Sequence, residues 1–272
     1  MTTLQRVDLD ADHPGFRDRA YRARRTEIAA LALRHRPGAP PPRVTYDADD
    51  QRTWRTVWDD LRPLHRALVA TPLQTAQQRL NLGAHAIPQL ADLNPRLAAA
   101  TGYAMQPVAG LIEGAAFLRA LGRGVFLSTQ YVRHPSRPHY TPEPDLLHEL
   151  IGHAAGLTLP KIAALSRAFG RAATATDDAD RLGALERLYW WTLEFGAVRE
   201  AGSVRAVGAG LLSSIAEIQH LVDGARLAEW APERMARTDY DPTQLQPQYF
   251  VAPSFDAFVR DLSRALADLT PG

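Results

Sequence analysis

Two histidines five positions apart, in the segment DLLHELIGH, are the residues of this chain best suited to do chemistry. His148 and His153 enclose Glu149, so the segment is close to the zinc motif HExxH, in which the histidines are four apart. Positions five apart on an α-helix are separated by roughly 140°, so the two imidazoles cannot leave one face. They can converge only if the second lies where the helix ends, and Gly152 predicts such an end.

A third candidate ligand is Glu194, in the segment RLYWWTLEFG. Trp190 precedes it by four positions and would share its face on an α-helix. A carboxylate buried among aromatic rings is costly without a strong partner, and a metal ion would supply one. Two histidines and one carboxylate form the ligand set of non-haem iron(II) oxygenases, which leaves coordination positions open. The alternatives are two hydrogen-bonded core histidines and a glutamate paired with an arginine.

Composition narrows the class of protein. The 272 residues, 46% of them hydrophobic, are enough for a substantial core. The absence of cysteine excludes disulfides, thiolate catalysis and cysteine metal ligands. A net charge of +1, with acidic residues flanking the basic run at 17–25, favours no nucleic-acid partner. No apolar leader core and no run of about 18 apolar residues occur, so we expect a cytoplasmic protein without a membrane partner.

The elements that must position the ligands are predicted to be mostly helices, with a few short β-strands. Helical periodicity marks residues 24–36, 49–69, 161–176, 180–198 and 254–269. Residues 75–102 predict short helices broken at Pro88 and Pro95, and residues 124–134 are the best strand candidate. Strands and helices do not alternate as in a doubly wound sheet, and no repeat is found. We therefore expect residues 1–272 to form a single domain.

Several segments together resemble, nearly residue for residue, the catalytic domain of the tetrahydropterin-dependent aromatic amino acid hydroxylases. They are TQYVRHPSRPHYTPEPDLLHELIGH, LYWWTLEFG and GAGLLSSIAE, with further matches from DHPGFRDRAYRARR to QYFVAPSF. The resemblance covers almost the whole chain. It implies that His148, His153 and Glu194 hold a mononuclear Fe(II), and that a tetrahydropterin and O2 serve to hydroxylate the ring of an aromatic amino acid.

The resemblance also implies roles around the iron. Arg133 would bind the substrate carboxylate through its rigid fork of donors, and Asp145 would orient that arginine. Ser213 would hydrogen-bond an iron-ligand histidine. The other positions that the resemblance assigns to the substrate side are Thr141, Trp190, Phe195 and Pro242. Those that it assigns to the pterin side are Gly110, Ile112, Phe117, Glu149 and Tyr189.

The chain departs from the family pattern near the expected pocket. Residues 154–156 are Ala-Ala-Gly in place of Val-Pro-Leu, and Leu127, Gly114 and Val207 replace a histidine, a serine and an aromatic residue. Pro242 resembles the position that is acidic in the tyrosine hydroxylases and aliphatic in the phenylalanine hydroxylases, and an apolar residue there leaves a phenol without a partner. We therefore expect phenylalanine as substrate and tyrosine as product. Tryptophan is second, because SIAEIQHL is closer to the tryptophan enzymes and residues 154–156 would enlarge the cavity.

Three other functions stay open at this point. A zinc peptidase with Glu149 as base is disfavoured by the five-residue spacing. A pterin- or amino-acid-binding protein without catalysis would need no complete ligand triad. A hydroxylase of tryptophan, or of a modified aromatic amino acid in secondary metabolism, would account for the departures in the pocket. Because the family's regulatory domain and tetramerisation helix have no counterpart in the sequence, we expect a monomer.

Overall fold

Helices dominate the structure, a computed structural model that describes residue 9 and residues 13–270. The N-terminal stretch, which has no apolar leader core, therefore lies largely outside the described residues. The helices and strands, in chain order, are α1 (Arg19–Arg34), α2 (Ala48–Leu68), α3 (Thr71–Leu80), α4 (Leu90–Thr101), β1 (Ala104–Pro107), α5 (Gly114–Gly122), β2 (Val125–Ser128), π1 (His148–Ala154), α6 (Ala155–Leu157), α7 (Pro160–Thr174), α8 (Ala179–Tyr189), π2 (Trp190–Glu194), β3 (Ala197–Glu200), β4 (Ser203–Ala206), α9 (Ala209–Ser213), α10 (Ile215–Asp223), β5 (Arg226–Glu229), α11 (Pro232–Met235), β6 (Gln248–Ala252) and α12 (Phe255–Leu269). π1 and π2 are π-helical.

The strands form two small sheets. β1 and β2 pair in parallel, whereas the second sheet has the order β4-β3-β6-β5. In that sheet β3 and β4 are antiparallel, and β6 runs parallel to both β3 and β5. The predicted class, mostly α with a few short strands, is confirmed.

A continuous hydrophobic cluster joins elements from both halves of the chain. It includes Trp54 of α2, Phe126 of β2, Leu188 of α8 and Leu266 of α12. A shared core of this kind is expected of one domain, and the extent of that domain over residues 1–272 stays a prediction. No helix among the described residues is both long enough and apolar enough to cross a membrane.

The predicted helix α2 combines apolar residues at helical spacing with a good N-terminal cap. At the start of α2 the Asp47 side chain accepts from the backbone N–H groups of Asp49 and Asp50, and the Asp50 side chain accepts from Asp47 N–H. This reciprocal capping satisfies donors that the first turn of a helix leaves free. Asp47 is therefore the N-cap of α2.

The break predicted at Pro95 is wrong, since this proline lies inside α4. Leu90, Leu93 and Leu97 bury one face of the helix. Beside the proline, Asn94 Nδ2 donates to Met105 O at 3.0 Å, and Asn94 Oδ1 accepts from Met105 N at 2.8 Å. This pairing ties α4 to β1, so tertiary contacts maintain the helix where proline removes a backbone bond.

The strand predicted at 124–134 is correct only for β2. The next residues, Thr129 to Arg133, are buried without belonging to a strand. Their backbone groups bond elsewhere, because Tyr131 O accepts from Leu146 N at 2.8 Å and Arg133 N donates to Asp145 Oδ2 at 2.8 Å. This segment thus runs beside residues 144–147, which lead into π1.

Close packing of α5 on α7 depends on Gly170. A Cβ at this position would overlap the backbone of Gly122 and lie 2.7 Å from Leu118 O. Neither neighbour can move as a flexible side chain would, so the two helix backbones are in direct contact. The contact holds α5, which carries Phe117, against the core.

We predict that Gly170→Ala lowers the free energy of unfolding by about 2–3 kcal/mol, because the added methyl group meets only backbone. Gly183→Ala is the matched control: it is also a helical glycine, but its Cβ would lie 3.4 Å from the nearest atom, the flexible Arg187 Nη1. That control should be neutral or stabilising by up to about 1 kcal/mol. Urea unfolding of both variants makes the comparison, and equal stabilities would contradict the close crossing.

Candidate active site

His148 and His153 lie on π1, not at the end of an α-helix. Hydrogen bonds from i to i+5 widen the turn of a π-helix and bring residues five apart onto one face. The two Nε2 atoms are 3.0 Å apart. The predicted helix end after Gly152 is wrong, because π1 continues directly into α6. The wider turn, and not a helix end, allows the two imidazoles to converge.

Two glycines bring the ligand-bearing segments against α9. A Cβ on Gly152 would lie 2.7 Å from Ala209 O, so π1 packs on the α9 backbone with no side chain between them. A Cβ on Gly208, the residue before α9, would overlap the backbone carbonyl of Glu194. α9 therefore supports π1 and π2 together.

Glu194 is the last residue of π2. Its Oε1 lies 2.9 Å from His153 Nε2, and its Oε2 lies 3.5 Å from His148 Nε2. We expected Trp190 to lie beside this carboxylate, as on an α-helix. In the π-turn, Phe195 N donates to Trp190 O at 2.8 Å, and the Phe195 ring lies 4.7 Å from the indole. The structure therefore brings the three predicted ligands together and places Phe195 against Trp190.

The hydrogen bonds around the site leave its metal-binding atoms, the imidazole nitrogens and carboxylate oxygens, suited to a cation. Ser213 Oγ donates to Ala209 O at 2.8 Å, so its lone pair accepts from His148 Nδ1 at 2.9 Å. This assignment leaves His148 Nε2 unprotonated and facing the other two ligands. Burial lowers the pKa of His148 to about 4. Burial by itself would raise the pKa of Glu194. The neighbouring His153 and His148 have the larger combined effect, so the net shift of this pKa is downward.

The spacing of these atoms also fits one metal ion. Ligands bound at about 2.1 Å and at right angles lie about 3 Å apart, close to the distances between the three donors. Burial lowers the pKa of His153, but the Glu194 carboxylate raises it more, so this pKa is raised. Because a metal binds only deprotonated ligands, a metal ion at this site would compete with a proton for these two residues.

Glu149 is a competing candidate, since its carboxylate and the two histidines have ligand atoms within 4.8 Å of one another. Its Oε1 accepts from Thr129 N and from Thr129 Oγ1, each at 3.2 Å. Burial raises its pKa to about 8, so this carboxyl is a poorer anion than Glu194. We propose Glu194 as the third ligand, and Glu149 as a residue of the pterin side.

A buried ion pair adjoins the metal ligands. Arg133, 4% exposed, donates from Nε to Asp145 Oδ2 at 2.9 Å and from Nη2 to Oδ1 at 2.8 Å. Burial raises the pKa of Asp145, but the Arg133 guanidinium outweighs it, and this pKa is lowered. Asp145 Oδ1 also accepts from His148 N at 3.2 Å. The predicted orienting role of Asp145 thus has a geometric basis, although its effect on a substrate stays a prediction.

The remaining substrate-side residues lie at different depths. Thr141 is half-buried and donates to Glu143 O at 2.6 Å. Pro242 lies on an exposed turn, where Asp241 Oδ1 accepts from Thr243 N at 2.8 Å and does not turn inward. Tyr240, which our sequence analysis missed, stacks on Trp190 at 4.1 Å and 9°. No motif marks this tyrosine, because only the path of the loop brings it to the indole.

An aromatic cluster lies on the side that the resemblance assigns to the pterin. The half-buried Phe117 lies 5.4 Å from Phe126 and 5.5 Å from Tyr189, and Phe126 lies 4.7 Å from His153. The loop between β1 and α5 contains buried Gly110 and exposed Ile112. A ring beside an exposed loop is suited to a flat heterocycle, so these residues fit the pterin that the sequence predicted.

The departures from the family pattern lie mainly in the core. Ala154 and Ala155 are both 0% exposed. Gly156 and Val207 line a cavity of about 20 Å³ next to His153, which has room for about one water molecule. Leu127 is half-buried in β2, and Gly114 begins α5. The proposed enlargement at residues 154–156 therefore amounts to a small internal space.

We predict that His148→Ala and Glu194→Ala each weaken Fe(II) binding by more than about 100-fold, since changes outside the ligand set already cost 10–100-fold. Glu149→Ala should bind iron like the wild type, because its carboxylate bonds to Thr129. Metal content after anaerobic loading and desalting makes the measurement, with circular dichroism as the folding control. Iron loss in Glu149→Ala with retention in Glu194→Ala would reverse the assignment.

Comparisons with known proteins agree with this geometry. The family model described as biopterin-dependent aromatic amino acid hydroxylase matches residues 1–270. Phenylalanine-4-hydroxylase of Mus musculus is 41% identical over 255 residues, which are 92% of this chain and 56% of that protein. The chloroplastic phenylalanine 4-monooxygenase of Chlamydomonas reinhardtii is 42% identical over 254 residues, 92% of this chain and 69% of that one. The chain thus spans little more than half the length of the first of these relatives.

Solved structures show the same fold. Phenylalanine hydroxylase of Chromobacterium violaceum with bound Fe(III) has a TM-score of 0.82 and 30% identity, covering 90% of this chain and 91% of that chain. A second structure of that enzyme, with bound iron(III) and 7,8-dihydrobiopterin, has a TM-score of 0.79 and 31% identity, covering 91% and 93%. This protein therefore belongs to the family of biopterin-dependent aromatic amino acid hydroxylases.

Proposed function

We propose that this protein is an Fe(II)- and tetrahydropterin-dependent monooxygenase that uses O2 to convert phenylalanine to tyrosine. The convergence of His148, His153 and Glu194 beside the buried Arg133–Asp145 pair carries the proposal. The names of the similar proteins support the choice of phenylalanine and of the cofactors.

The metal and the pterin would supply the activation of O2, which no side chain provides. His148, His153 and Glu194 would hold the metal and leave positions open for other ligands. Phe117 and Tyr189 would form the pterin side together with Gly110, Ile112 and Glu149. The burial of the ligand set would limit the access of bulk water to the metal.

Arg133 is the residue that we expect to bind the amino acid carboxylate. Asp145 takes Nε–H and one Nη2–H, and Pro138 O accepts from Nη1 at 3.4 Å. A guanidinium has five N–H groups, so one is left on each terminal nitrogen. This pair matches the two oxygens of a carboxylate. The arrangement supports amino acid binding through a fork that Asp145 keeps in one orientation.

The choice of ring depends on the aromatic wall. Trp190 and Phe195 would contact the substrate ring, and the indole is already stacked on Tyr240. The sequence offers a phenol no acidic partner at Pro242, which favours phenylalanine over tyrosine. We also propose a monomeric, cytoplasmic enzyme without nucleic-acid or membrane partners, and the net charge of +1 supports the absence of nucleic acid.

We predict that the Fe(II)-loaded protein converts phenylalanine to tyrosine with tetrahydropterin under air, and that the zinc-loaded protein does not, because Zn²⁺ has no redox chemistry. Mass spectrometry of the products from phenylalanine, tyrosine and tryptophan, with kcat/KM for each, makes the test. Equal hydroxylation with zinc would contradict the mechanism. If tryptophan is the best substrate, the protein is a tryptophan hydroxylase. A preference for tyrosine over phenylalanine would refute the argument from Pro242.

Arg133→Lys is predicted to raise the dissociation constant for phenylalanine by about 10- to 100-fold, since an ammonium cannot reproduce the fork. Pterin binding and iron content should change little. Calorimetry on the anaerobic Fe(II) protein measures the affinity for phenylalanine. Thermal melting of the same variant measures how much stability is lost with the buried pair, so that the two effects are distinguished. An unchanged affinity would leave Arg133 a purely structural partner of Asp145.

A further inference from the structure

A buried glutamine, Gln246, connects the aromatic wall to the loop before β6. It is 1% exposed, and its Oε1 accepts from Trp190 Nε1 at 3.0 Å. Its Nε2 donates to Asp241 O and to Gln244 O, each at 2.9 Å. Both amide hydrogens therefore go to carbonyl oxygens. The opposite amide orientation would place Oε1 against those carbonyls, so the network fixes the side chain in one orientation.

The glutamine is itself anchored to two other elements. Its backbone N–H donates to Glu217 Oε1 of α10 at 3.2 Å. The hydroxyl of Tyr249, in β6, donates to the other carboxylate oxygen of Glu217. Glu217 is 7% exposed and Tyr249 0% exposed, so the anchor lies in the core. Gln246 cannot shift without breaking buried hydrogen bonds, which makes it a rigid support.

The indole of Trp190 is held at its edge and on its faces. Gln246 Oε1 is the acceptor at the Nε1 edge, while Tyr240 stacks at 4.1 Å and Phe195 packs at 4.7 Å with a 40° tilt. Without the Nε1–Oε1 hydrogen bond, the three rings could still pack while the indole rotated in its own plane. With the hydrogen bond present, such a rotation would leave the Nε1–H group without its partner. The hydrogen bond therefore selects the angle of the indole in its plane.

We propose that Gln246 is a positioning residue for substrate selectivity, which holds the Trp190 indole and the turn containing Pro242 as one unit. This inference rests on the proposed function, because it concerns which amino acid ring that site accepts. Trp190, which the resemblance assigns to the substrate side, and the turn with Pro242, on which the preference for phenylalanine rests, are thereby joined through a single amide. A change at Gln246 alters both, although Gln246 itself need not touch the substrate.

The test compares Gln246→Leu with Gln248→Leu. The first keeps the side-chain volume close and removes the acceptor and both donors. The second makes the same chemical change two positions on, where the side chain of the half-buried Gln248 has Arg226 as its one hydrogen-bond partner among the described residues. We expect Gln246→Leu to lower the ratio of kcat/KM for phenylalanine to that for tryptophan by about 5- to 10-fold, as expected for the loss of one or two hydrogen bonds. Gln248→Leu should leave the ratio unchanged.

A purely structural role would reduce active enzyme and lower both kcat values together. An unchanged ratio in Gln246→Leu would therefore overturn the inference. Near-ultraviolet circular dichroism of the metal-free protein gives an independent measurement: the indole signal should change in Gln246→Leu and not in Gln248→Leu. Wild-type protein that hydroxylates none of the three aromatic amino acids would instead contradict the proposed function.

Trp190→Phe tests the contact from the other side, because it removes the indole N–H and keeps a ring. In that background Gln246→Leu should change the ratio by less than about twofold, since the coupled contact is already absent. Full additivity of the two changes would overturn the inference. If Gln246→Leu does not fold, Trp190→Phe alone must shift the ratio in the same direction, and an unshifted ratio would overturn the inference as well.

Discussion

The close approach of three buried donor groups is the constraint on which the site depends. His153 Nε2 lies 3.0 Å from His148 Nε2 and 2.9 Å from Glu194 Oε1. Groups that attract protons or metals repel each other at this distance unless a cation lies among them. Burial lowers the pKa of His153, but the Glu194 carboxylate raises it more, which favours a proton among these groups when no metal is bound. Metal binding would release that proton, which couples the affinity for iron to pH.

The fold meets this constraint by widening two helices and supporting both on a third. π1 aligns two histidines five positions apart, and π2 ends at the carboxylate. α9 touches both and supplies Ser213 to fix the His148 ring. The backbone carbonyl of Leu212, the residue before Ser213, is hydrogen-bonded to Nε2 of the buried His65 at 2.7 Å. The orientation of His148, a proposed metal ligand, therefore depends in part on α2, which lies distant in sequence.

The sequence was informative where a local pattern decides the structure. Apolar periodicity identified α2, α7 and α12, and the residue that caps α2 is an aspartate, a type that favours this position. Pro95 misled because the Asn94–Met105 pairing outweighs the lost backbone bond. The π-turns were missed because α-helical geometry is the default for a run such as HELIGHA. What favours the wider turn is contact with α9 through Gly152, which is a tertiary effect.

The site residues also differ in whether a sequence signal or only a tertiary contact identifies them. Resemblance selected a ligand triad, a serine and an arginine–aspartate pair, and the structure brings all of them into contact. Tyr240 and Gln246 were not identified, since a tyrosine in a loop and a glutamine between leucine and proline carry no local signal. Their contacts with Trp190 arise only because the loop before β6 folds back over π2.

Asp145 shows how the two halves of the site are made interdependent. One carboxylate, 0% exposed, accepts from three nitrogens of Arg133 and from the backbone N–H of His148. Removing either partner would leave a buried charge unpaired, which costs about 3–5 kcal/mol. The same oxygen that receives Arg133 Nη2–H also caps the turn that begins π1. The direction of the arginine fork and the position of the first metal ligand are therefore set by one group, so a shift in either is transmitted to the other through bonds of about 3 Å.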